Sequence, residues 1–98
     1  MGPSMKEPQI LLARKTAERN EMAAREFLFK RAVTAYLDEM LRREYLVYSI
    51  EDLFPALSKR IVEKIVRKLE LDRSGGASIT EAYIDSLWVD FAKLGKLN

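Results

Sequence analysis

Apolar side chains that recur every three or four residues constrain this chain more than any other feature of its sequence. Phe29, Val33, Tyr36 and Met40 follow one another at intervals of four, three and four, with Leu37 and Leu41 beside them. That spacing matches the turn of an α-helix and predicts one broad apolar face. Two further stripes follow. Leu57, Ile61, Ile65 and Leu69, widened by Val62 and Val66, predict a helix from about Ala56 to Leu71. Ile79, Ala82, Tyr83, Leu87, Trp88, Phe91 and Leu94 predict another, ended by Gly95, with the single Trp88 on its apolar stripe as a core anchor. No stretch shows sustained strand alternation, an internal repeat or low complexity. The expected fold class is all-α: a small three- to four-helix domain with a long N-terminal helix, for which a helical dimer is one arrangement.

The first helix raises a problem of length. Glu21 with Arg25, Glu26 with Lys30, Asp38 with Arg42 and Glu39 with Arg43 are acid-first i,i+4 pairs, which favour helix even where few side chains are apolar. Unbroken from Ile10 to Tyr45, such a helix would be about 54 Å long, wider than a globule of this size. It is expected either to break near Asn20 or to project and find a partner. Residues 1–24 are accordingly read as a tail or helical extension, 25–95 as a single helical domain and 96–98 as a short tail. Met1 to Ser4, ahead of a second Met5, are given no functional weight. Tyr45 to Ile50, aromatic and β-branched, is expected to be briefly extended. Ser49 with Asp52, and Ser78 with Glu81, carry the spacing of helix N-caps.

Composition narrows the chemistry. The 98 residues suit one domain, and 48% apolar content is enough for a core. The chain has neither Cys nor His, so a thiolate nucleophile, the commonest general base and the commonest metal ligand are missing. Asp85 and Asp90 are five apart on a predicted helix and diverge, and Ser58 beside Lys59 diverges likewise. Nothing converges as a catalytic set, so no enzyme, cofactor, metal site or small-molecule substrate is expected. No apolar run approaches the ~18 residues of a membrane span, and no secretory signal is recognisable. The expected location is intracellular, the cytoplasm before the nucleus, with no membrane partner.

The loop "LDRSGGASITEAY", residues 71–83, resembles an EF-hand at several positions, with Asp72 first, Ser74 third, Gly76 fifth and Ile79 eighth. Ala77 stands where that family turns on glycine, and Tyr83 where its bidentate glutamate ligates. Nor does Lys-Ser or Lys-Thr follow the glycines as in a phosphate loop. The loop is therefore read as a bend, in which Gly75 and Gly76 take positive φ and Ser78 caps the next helix.

Two binding surfaces remain. Phe27, Leu28 and Phe29 are consecutive, and three adjacent helical residues fan over about 200°, so they cannot all face one small core. With Val33 and Tyr36 they form the expected contact surface for a protein partner or a second copy. The expected function is a non-enzymatic interaction module, adaptor or regulatory, that self-associates or binds a partner helix. The alternative is DNA. Formal net charge is only +2, from 17 basic and 15 acidic residues, yet Lys59, Arg60, Lys64, Arg67 and Lys68 concentrate on one helix against the acid Glu63. "SIEDLFPALSKRIVEKIVRKLELD" resembles a helix-turn-helix in outline, which implies that this basic helix faces phosphates or base edges. Pro55 occupies the turn, and a third helix replaces any wing hairpin.

Overall fold

The computed structural model describes residues 7–97, with side chains from residue 11 onward. Residues 1–4, set aside above, and the side chain of Ile10 lie outside that description. Four helices follow in order: α1 (Glu7–Asp38), α2 (Arg43–Leu53), α3 (Lys59–Ser74) and α4 (Glu81–Gly95). Among the described residues there is no strand. Each helix neighbours the next and α4 returns to α1, closing a ring in which α3 stands diagonally across from α1.

The apolar stripes meet at the centre of that ring. Phe29, Val33 and Tyr36 come from α1, Leu46, Val47 and Ile50 from α2, Val62, Ile65, Val66 and Leu69 from α3, and Ile84, Leu87, Trp88 and Phe91 from α4. An aromatic cluster forms the centre: Phe29 stacks on Phe91 at 4.9 Å and meets Trp88 edge-on at 5.3 Å, while Phe54 meets Phe91 edge-on at 5.3 Å. These offset and edge-on arrangements are the ones that the aromatic quadrupole favours. Trp88 is thus a core anchor, as its position on the stripe predicts.

α1 does not break at Asn20. It runs unbroken for 32 residues, about 48 Å, and accounts for much of the 62 Å long axis of a molecule only 25 by 23 Å across. Its core contacts begin at Met22, whereas residues 11–21 are exposed throughout. The alanines and charged side chains of this half favour helix without giving it anything to bury.

Several boundaries differ from the sequence reading for physical reasons. Residues 45–50 are helical, because Leu46, Val47, Ile50 and Phe54 share one face and bury it. Tertiary burial overrides the strand preference of their neighbours. Ser49 is inside α2, donating its hydroxyl to the Tyr45 carbonyl at 2.8 Å, and caps nothing. α3 starts at Lys59, not Ala56, with the Ser58 hydroxyl accepting from the Arg60 N–H at 3.2 Å. α4 is capped by Thr80, whose hydroxyl accepts from the Tyr83 N–H, in place of Ser78. Gly95 is its last helical residue, and the left-handed position falls to Lys96 at φ 52°. Only Gly76 of the glycine pair has positive φ, at 90°.

Candidate functional site

α1 contributes the first candidate surface. Of the five residues expected to meet a partner, the structure separates two from three. Phe29 and Val33 are fully buried and Tyr36 nearly so, all within the ring. They hold the domain together and present nothing to another protein. Phe27 and Leu28 remain outside, 61% and 43% exposed. The fan of about 100° per residue accounts for this division, since Phe29 faces inward and its two predecessors rotate away.

Beside Phe27 runs an open groove of about 510 Å³ between α1 and α4, floored by Ile84 and edged by Lys30, Arg31, Glu81 and Asp85. Lys30 ties the two helices together, reaching Glu26 at 2.9 Å and Asp85 at 2.8 Å. Those two carboxylates raise the Lys30 ammonium above the ordinary lysine pKa. The Lys30–Asp85 pair therefore joins the two helices along one edge of the groove. Leu11 and Leu12, further along α1 on its projecting half, are 53% and 60% exposed. The polar and alanine-rich run that follows them in the sequence gives this half of the helix little else to bury.

α3 contributes the second surface. Lys59, Arg60, Lys64, Arg67 and Lys68 are all exposed. Lys68 is engaged, with Asp72 at 3.3 Å and Asp90 at 3.9 Å. Arg43 at the start of α2 binds both Glu63 and Glu70, the latter at 2.7 Å, so that two of α3's three acids are neutralised from the neighbouring helix. Hydrogen bonding to both raises the Arg43 guanidinium above its ordinary pKa and holds the Glu63 carboxyl below the usual range. Arg60, Lys64 and Arg67 fall within about 60° of one another round the helix. Among the described residues none of the three has an ion-pair partner. Sequence reasoning found the cations but paired Arg43 with Glu39 on one helix; α1 ends at Asp38, and the partners of Arg43 lie 20 and 27 residues away.

The 72–83 loop is occupied by its own side chains. Asp72 is still helical, and its carboxylate accepts from the Tyr83 hydroxyl at 2.5 Å. Among the described residues no three potential ligands gather into a metal site, and no polar or charged side chain is buried. Asp85 and Asp90 diverge, one toward Lys30 of α1 and the other toward Lys68 of α3. No helix among the described residues is long and apolar enough to cross a membrane. In comparisons with known proteins, no family model, no curated protein and no solved structure matches the chain.

Proposed function

We propose that this chain is a non-enzymatic helical interaction module that works through the outer face of α1, by self-association or by receiving a partner helix. One observation carries the reading: Phe27 and Leu28 lie outside the core on a helix whose first half, residues 11–21, is exposed throughout and contributes nothing to that core. A helix of that length gains little from local hydrogen bonding alone, and most helical stability comes from an apolar face that meets something. The groove beside Phe27 offers a second helix a place to lie. A library of displayed amphipathic helical peptides panned against the protein tests this directly. Enriched peptides should lose binding to the Phe27→Ser, Leu28→Ser double variant. Failure to enrich any peptide sensitive to those substitutions contradicts the reading.

A second reading rests on a different helix. The stripe of Arg60, Lys64 and Arg67, cleared of competing carboxylates by Arg43, supports a helix-turn-helix-like DNA-binding regulator. Lys59 and Lys68 would flank that contact. Because α3 stands across the ring from α1, the two surfaces are separable by mutation. Duplex DNA titrated across a salt series should bind with a steep loss of affinity as salt rises. Absence of binding at low salt eliminates this reading.

A further inference from the structure

We propose that the occupant of α1's outer face is a second copy of this chain, lying antiparallel, with the two-fold axis passing between Arg19 and Asn20. The proposal rests on the α1-face reading above and adds the partner and the register.

A closed dimer needs one patch that is complementary to itself when reversed. α1 carries such a patch. Leu12, Thr16, Ala23 and Phe27 fall within about 60° of one another round the helix, and their centre lies about 120° from the core-facing side. All four are exposed, Leu12 and Phe27 to 60% and 61%. Their order is large, small, small, large, and it reads the same from either end. About an axis between Arg19 and Asn20, Leu12 lies opposite the partner's Phe27, and Thr16 lies opposite the partner's Ala23. The small central residues let the two backbones approach, and the large ones fill the ends.

Three further features fit this register. Thr16 already donates its hydroxyl to the Leu12 carbonyl at 3.0 Å, so covering it orphans no donor. α1 and α4 run antiparallel, since Lys30 meets Asp85 whereas the more N-terminal Met22 lies beside Leu97. The α1–α4 groove therefore continues from Phe27 toward Thr34 and is aligned to receive the partner's Leu12. Finally, Lys15 and Glu26 lie on one flank of the stripe. Antiparallel helices bring like flanks together, so Lys15 faces the partner's Glu26 and the reverse pair repeats it. One contact opposes the assembly: Arg19 meets the partner's Arg19 beside the axis. The exposed half of α1 is, in this arrangement, the element that grips the other globule.

The test uses the absence of cysteine from the chain, which makes introduced thiols the sole ones present. Light scattering should give twice 11.3 kDa at tens of micromolar, reverting to the single mass in Phe27→Ser or Leu12→Ser, with Arg19→Ser tightening the dimer at low salt. Under mild oxidation a mixture of Thr16→Cys and Ala23→Cys proteins should cross-link, whereas Thr16→Cys alone should not. Its two thiols would be offset by about 10 Å along the axis, and a disulfide needs Cα atoms within about 7 Å. Cross-linking of Thr16→Cys to itself overturns the antiparallel register. A strict monomer overturns the second copy as occupant and leaves the α1-face reading to the peptide selection, so the two failures are distinct.

Discussion

The hydroxyl of Tyr83 donates to the carboxylate of Asp72 across 2.5 Å, joining the first turn of α4 to the last turns of α3 over the glycine bend between them. Lys68 reaches the same carboxylate at 3.3 Å. Together the Tyr83 hydroxyl and the Lys68 ammonium hold the Asp72 carboxyl below the usual carboxylate range. Partial burial, and then the Asp72 carboxylate, push the Tyr83 phenol above the usual tyrosine range. The position that ligates calcium in an EF-hand is here a brace between two helices.

The brace predicts a pH profile with two edges. Asp72 has a lowered pKa in the folded chain, so its contribution is present above the ordinary aspartate value of about 3.9 and is lost as pH falls through the lowered one. Tyr83 has a raised pKa, so its contribution is complete below about 10 and is lost as pH rises toward the raised value. Tyr83→Phe should flatten the alkaline edge and return the Asp72 carboxyl toward its ordinary titration, measured by NMR. Millimolar calcium should leave the melting temperature unchanged.

Phe27 and Phe29 should behave as opposites despite being two residues apart. Phe29→Ala removes a ring from the aromatic centre and should cost about 3–5 kcal/mol in denaturant unfolding. Phe27→Ser, on the exposed side, should change the stability of the monomer by no more than about 0.5 kcal/mol. Equal losses at the two positions would contradict the division of α1 into an inner and an outer face.

Three helices end alike. Leu41 N–H reaches the Tyr36 carbonyl, Ala77 N–H that of Asp72 and Leu97 N–H that of Ala92, each closing a reversed turn around a left-handed residue. That residue is Gly76 after α3 but Met40 and Lys96 after α1 and α4. Met40→Gly and Lys96→Gly should each stabilise the domain by about 0.5–1 kcal/mol, since glycine occupies this region without a Cβ clash. Thermal unfolding of the two variants checks it.

Arg43→Ala should lower the melting temperature at low ionic strength, and the difference from the native chain should shrink in 1 M salt, where exposed pairs are screened. It should also weaken any DNA binding by α3, because Glu63 and Glu70 would then stand uncompensated beside Arg60, Lys64 and Arg67. Fluorescence anisotropy with labelled duplex measures the second effect.

The stripes that make the ring were legible because burial and helical period coincide: Phe29 with Val33 on α1, Ile65 with Leu69 on α3, Leu87 with Phe91 on α4. α2 was not, since eleven residues give too few turns for a period to stand out against the strand preference of Val47 and Tyr48. Gly95 marked the end of α4, but the left-handed positions at Met40 and Lys96 were hidden because the residues there are not the glycines that usually occupy such turns. On the candidate surface, the conflict among Phe27, Leu28 and Phe29 was visible in the sequence. Which of them won the core depended on where α4 lies. The partners of Arg43 were hidden for a similar reason, as its glutamates are distant in sequence and meet it only once α2 and α3 pack.

Amide hydrogen exchange along α1, followed over a protein concentration series, tests the central claim most directly. Residues 29–37, packed in the ring, should be protected at every concentration, whereas residues 11–21 should gain protection as concentration rises or as a selected helical peptide is added. Rapid exchange of residues 11–21 under all those conditions would contradict a role for this helix in binding another chain.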